Sequence, residues 1–123
     1  MRFILKELIK IKNRAVWSWY GFYHVAKTEG SLWQWIIANL ISGSLTFFLP
    51  ITFTQQAMIL GGGILILAAE CLNTAIERIV DDISIKQRPA AQHAKDAGSA
   101  AVAITAIATG VVWLVIIFDL FAR

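Results

Sequence analysis

Glu70, Asn73, Glu77 and Asp81 follow directly on the apolar run from Met58 to Ala69. At about 100° per residue these four side chains fall within roughly 80° of one another on a helical wheel. One face therefore carries carboxylate, amide, carboxylate, carboxylate, while Leu72, Ile76, Ile79 and Val80 keep the opposite face apolar. Ionisable groups at the end of a membrane-type helix are costly and mark a functional site. Two or three carboxylates with an amide suit Mg²⁺, a hard cation that shares oxygen ligands with substrate phosphates. Glu70 lies deeper than Glu77 on the stripe and could take a proton from a hydroxyl. Lys95 can hold a phosphate as a point charge. These are the parts of phosphoryl transfer, which rests on positioning, metal charge and a base. The competing reading is plainer: acidic groups at a helix end face headgroup water or pair with Arg78 and Lys95.

The elements that would position these groups are apolar. The chain has 123 residues, 58% hydrophobic and 15% charged, with mean hydropathy +0.66. A soluble domain carries about 25% charged residues, so a single membrane domain over residues 1–123 is expected. The net charge is only +3, and no nucleic-acid partner is expected. The lone cysteine, Cys71, excludes a disulfide within the chain and reads as a packing residue. The N-terminus lacks the uninterrupted apolar core of a secretory signal.

Residues 2–12 alternate Phe3, Ile4, Leu5, Leu8, Ile9 and Ile11 with Arg2, Lys6, Lys10 and Lys12, the pattern of a basic amphipathic helix lying in the membrane interface. Residues 13–29 continue with Trp17, Trp19, Tyr20, Phe22, Tyr23 and His24, rings that collect at headgroup depth. Three spanning segments follow, at about 32–50, 54–83 and 96–121, since a span needs about 20 mainly apolar residues. Gly61-Gly62-Gly63 in the second and the stripe Ala94, Gly98, Ala101, Thr105, Ala108 in the third predict close helix approach. No Lys-Ser/Thr follows the glycines, so they form no phosphate loop, and no soluble-kinase catalytic loop is present.

The loop from Ser84 to Lys95 carries Lys86, Arg88 and His93, whereas the turn at Ile51–Gln56 carries no charge. The positive-inside rule then puts the N-terminus and the acidic end of span two in the cytoplasm, and the C-terminus outside. Glu29, Glu70, Glu77, Asp81, Lys95 and Asp96 should share one depth. Arg78 and Asp82 read as solvated or headgroup-facing, and Asp119 as interfacial.

Two blocks, Glu70-x-x-Asn73-Thr74-Ala75-Ile76-Glu77-x-x-x-Asp81 and Lys95-Asp96-x-Gly98-Ser99-Ala100-Ala101-Val102, resemble the small prokaryotic diacylglycerol kinase family. The resemblance implies an all-α membrane protein of a bacterial cytoplasmic membrane. It would have an N-terminal interfacial amphipathic helix plus three transmembrane helices, and would assemble as a homotrimer with active sites shared between subunits. It implies transfer of the ATP γ-phosphate to the hydroxyl of a membrane lipid. Carried over by position, Glu70 would be the base, Glu29 and Glu77 would hold Mg²⁺ with the nucleotide, and Asn73 would support that cluster. Lys95 and Asp96 would contact ATP, and Ser99 and Trp113 would line the lipid side. Lys10 and Trp17 stand where the family often has Arg and Tyr, and are kept as nucleotide contacts; Lys86 and Arg88 are counted with them. After Glu29 the diacylglycerol branch commonly reads Ala-Ala-Phe-Arg-Gln-Glu; here Gly30-Ser31-Leu32-Trp33-Gln34-Trp35 stands instead. The related undecaprenol kinase branch shares both blocks, so diacylglycerol and undecaprenol both stay open as acceptors. A non-enzymatic membrane scaffold or cation-conducting subunit is the alternative outside the enzymes.

Overall fold

A computed structural model describes residues 1–122 as four helices: α1 (Arg2–Thr28), α2 (Gly30–Leu45), α3 (Phe53–Ile83) and α4 (Pro89–Ala122). No strand occurs among the described residues. The two interfacial pieces expected at the N-terminus are one continuous helix of 27 residues. It stops at Glu29, whose extended backbone (φ −114°, ψ 112°) turns the chain while its N–H still bonds to the Val25 carbonyl at 2.8 Å. Val25 and Leu32, the latter fully buried, close the inside of this elbow. The Trp33 indole N–H caps it by donating to the Ala26 carbonyl at 2.7 Å.

The helix expected at 32–50 ends earlier, at Leu45. Thr46, Phe47 and Phe48 bond back three residues instead of four, and Pro50 disfavours helical backbone before it. The 16 residues of α2 are about 24 Å long at 1.5 Å per residue, short of a bilayer core of about 30 Å. α3 and α4 are long and apolar enough to cross a membrane. Thr52 starts α3 with a reciprocal capping box: its hydroxyl accepts from the Gln55 N–H at 3.2 Å, and its own N–H donates to Gln55 Oε1 at 2.8 Å. α4 begins at Pro89 rather than near 96, because proline's fixed φ suits a first helical position.

α3 is the central element, packed chiefly on α4 and then on α2, while α1 touches α2 and α3 lightly. Small residues set these approaches. A Cβ on Gly62 would stand 2.6 Å from Thr109 Oγ1 of α4, and one on Gly63 would stand 2.7 Å from Asn39 Oδ1 of α2. Gly98 of α4 likewise makes room for the Asn73 amide. Ile59, Ile66, Val102 and Ile116 form the buried seam. Most other large apolar side chains of α2–α4, such as Leu40, Ile64, Leu65, Ile107 and Leu114, point outward. Apolar surface on that scale calls for lipid or other subunits.

Candidate active site

The acidic stripe of α3 opens into a cleft between α2 and α4. Its deepest member, Glu70, is only 4% exposed. Its carboxylate makes no hydrogen bond or ion pair among the described residues, and it lines a cavity of about 370 Å³ with Ser31 and Trp35 of α2, Asn73 and Glu77 of α3, and Ser99 of α4. Buried carboxyl groups are normally hydrogen-bonded, and this one faces a cavity instead. One turn on, Asn73 donates from Nδ2 to Glu77 Oε1 at 3.0 Å. Its Oδ1, turned to Gly98, is buried without a partner.

A second cavity, about 380 Å³, lies where α3 turns into α4. Lys86, Arg88 and Lys95 line it together with Asp81. Ser84 ends α3 with extended backbone (φ −172°), and its hydroxyl accepts from the Lys86 N–H at 3.2 Å. Lys95 Nζ pairs with Asp81 Oδ1 at 2.6 Å. Three cations beside the positive N-terminal end of α4 make a place for anionic oxygens.

The other candidate residues are spread more widely. Glu29, at the α1–α2 elbow, is gripped by Arg78 Nη2 at 3.1 Å. Arg78 follows Glu77, but consecutive helical residues point about 100° apart, and Glu29 does not line the cavity that Glu77 shares with Glu70. Arg78 reaches Glu29 and Thr28 while more than a third of its side chain stays exposed. Asp96 is exposed and accepts from Gln92 Nε2 at 2.8 Å. Lys10 pairs with Glu7 at 2.7 Å on the exposed face of α1, and Trp17 is exposed further along that helix; neither lines the two cavities. Trp113 lies about 21 Å along α4 from Ser99 at 1.5 Å per residue, and its Nε1 donates to Ser42 Oγ at 2.8 Å, bridging α4 to α2.

Ser31 and Trp35 were not among the site residues expected from sequence, although they sit one helical turn apart on α2 and so share a face. Among the described residues no three His, Cys, Asp or Glu side chains cluster as a metal site. The donor set still suits Mg²⁺, which keeps several waters and phosphate oxygens and needs one or two carboxylates from protein.

The profile of the family "Prokaryotic diacylglycerol kinase" matches residues 16–117. A diacylglycerol kinase of Pseudomonas aeruginosa is 31% identical over 110 residues, 89% of each chain. That of Haemophilus influenzae is 32% identical over 111 residues, 90% of this chain and 94% of the relative. An undecaprenol kinase of Bacillus subtilis is 33% identical over 113 residues, 89% of each.

Proposed function

The chain belongs to the prokaryotic diacylglycerol kinase family, and on that premise we propose that it phosphorylates diacylglycerol to phosphatidic acid at the cytoplasmic face of the inner membrane. The family implies ATP as the phosphoryl donor. The observation that carries the reading is Glu70, a buried, unpaired carboxylate facing a cavity shared with Glu77 and Ser99.

In this mechanism the lipid hydroxyl enters the cleft beside Ser99 and gives its proton to Glu70. Its oxygen bonds to the γ-phosphorus, the bond to the β–γ bridging oxygen breaks, and ADP leaves. Lys86, Arg88 and Lys95 bind the polyphosphate in the neighbouring cavity, with Asp96 beside them and Lys10 and Trp17 as outer contacts. Mg²⁺, held by Glu29 and Glu77, would neutralise charge developing on the phosphates. A half-turn of the Asn73 amide would bring its orphaned oxygen beside Glu77, where a shared cation would satisfy it. Trp113 lies at acyl-chain depth.

α2, extended by the Thr46–Leu49 turn, is the third crossing, with α1 in the interface. The outward apolar faces of α2–α4 support a homotrimer that brings sites of neighbouring subunits together. The runner-up acceptor is undecaprenol, supported by the Bacillus subtilis relative; Trp35 adds an aromatic ring to the lining of the Glu70 cavity.

The test is radiolabelled phosphate transfer from ATP to purified diacylglycerol and undecaprenol side by side, repeated with Glu70→Gln. Diacylglycerol labelling that disappears in the variant is expected. Undecaprenol labelling alone moves the chain to the other branch, and full activity of Glu70→Gln removes Glu70 as base.

A further inference from the structure

Arg78 is the single side chain that joins the α1–α2 elbow to α3 by an ion pair. Among the described residues the other ion pairs are Lys10–Glu7, within one helix, and Lys95–Asp81, between α3 and α4. Arg78 Nη2 donates to two elbow oxygens at once, Thr28 Oγ1 and Glu29 Oε1, fifty and forty-nine residues away. The Thr28 hydroxyl donates back to the His24 carbonyl at 3.0 Å, so its oxygen is already oriented to accept. Backbone packing of α1 on α3 is slight. Without the guanidinium, Glu29 would keep only the longer contact from the Thr28 hydroxyl to Oε1, at 3.3 Å, at a residue where the chain leaves helical geometry.

The pattern of bonds on Glu29 is one-sided. Arg78 takes Oε1, which the Thr28 hydroxyl also reaches at 3.3 Å, and Oε2 accepts no hydrogen bond among the described residues. A carboxylate clamped through one oxygen presents the other in a fixed direction, as outer-shell partners do for metal-ligating side chains. Pairs as exposed as this one add little to folding, which leaves orientation as the physical consequence of the contact. Arginine suits the task because it stays charged and its planar fork reaches two acceptors together.

We propose that Arg78 is a positioning residue, which holds Glu29 through Oε1 so that Oε2 is offered to the divalent cation of the nucleotide. The inference rests on the kinase reading above, with Glu29 as a metal ligand. Arg78 itself touches neither lipid nor phosphate. It acts through Glu29, and its contribution should vanish when Glu29 can no longer bind metal.

The test uses the full chain in detergent or lipid. Mn²⁺ replaces Mg²⁺, and binding in the presence of a non-hydrolysable ATP analogue is read by electron paramagnetic resonance, alongside the KM for Mg²⁺ in phosphate transfer. Arg78→Ala should weaken Mn²⁺ binding and raise the metal KM by about 10–100-fold, with kcat much less affected. Arg78→Lys should recover part of the loss, and Thr28→Val, which removes the second anchor, should give a smaller loss of the same kind. In the Glu29→Gln background, Arg78→Ala should change nothing further. Unchanged Mn²⁺ affinity in Arg78→Ala, or full additivity with Glu29→Gln, overturns the proposal while leaving the kinase reading standing. If Arg78→Ala does not fold, the Arg78→Lys and Thr28→Val results decide by the same criteria. A wild-type protein that transfers no phosphate to either lipid and binds no Mn²⁺ overturns both.

Discussion

The two halves of α3 treat their buried polar groups differently. At the Phe53 end, the polar side chains find partners. Gln56 Nε2 donates to Thr46 Oγ1 at 3.0 Å, and Gln55 Nε2 to Asp119 Oδ2 at 3.2 Å. Nearby, Asn39 Nδ2 donates to the Gly63 carbonyl at 2.9 Å and Trp113 Nε1 to Ser42. In the half toward Ile83, Glu77, Arg78 and Asp81 also find partners, but Glu70 is buried without one and the Asn73 oxygen is orphaned. In an apolar setting an unmade hydrogen bond costs more than a made one gains. The first end is therefore built for assembly. The second tolerates unmet demand, as ligand sites do.

This contrast can be broken most sharply at Glu70. Glu70→Gln should cut phosphate transfer by about 10²–10⁴-fold, the scale of a lost general base, without lowering resistance to unfolding in detergent. Loss of both would make Glu70 a structural residue and erase the difference between the ends. Gly98→Val comes next. Its side chain would drive into the Asn73 amide, costing up to about 3 kcal/mol and reducing transfer as the α3–α4 cleft deforms; denaturant unfolding and transfer per folded molecule separate the two effects. Gly62→Ala lies on the fully partnered side. Contact with Thr109 should cost about 1 kcal/mol while transfer per folded molecule stays at the wild-type level. The smallest effect is expected from Ser42→Ala, which removes the acceptor for Trp113 and should cost about 0.6 kcal/mol, a typical interhelical hydrogen bond in a membrane. A large activity loss in either of the last two would mean that the partnered end also takes part in chemistry.

Much of this layout was legible from residue patterns. The expected segment 54–83 is α3 to within one residue, because its apolar run leads straight into the acidic stripe and is followed by the polar loop from Ser84. The glycines expected to allow close approach do so at Gly62 and Gly63. Hydropathy served less well at other ends. It marks where a membrane would begin, not where hydrogen bonding begins, so it places the polar first turns of α4 from Pro89 in a loop. Nor did it register that Thr46–Phe48 abandon the α-helical ladder ahead of Pro50. The expectation of a shared depth for the charged groups does not extend to Glu70, which stands about 16 Å along α3 from Asp81 at 1.5 Å per residue; that height follows from sequence. Direction around the bundle does not. Arg78 reaches the elbow and Trp35 joins Glu70 in lining one cavity because of how α1 and α2 are rotated against α3, and that rotation is set by contacts between residues dozens of positions apart. The plainer alternative, acids neutralised by nearby bases, describes Glu29 with Arg78 and Asp81 with Lys95. It does not describe Glu70.

The 31 residues of α3 amount to about 46 Å of helix at 1.5 Å per residue, half as long again as hydrocarbon is thick, about 30 Å. Such a rod has to stand in two solvents. With its acidic end emerging, Glu70 would meet the oily phase while Asp81 stood in water. A greasy alcohol and a soluble polyanion could then react along one rigid axis, neither having to enter the medium that excludes it.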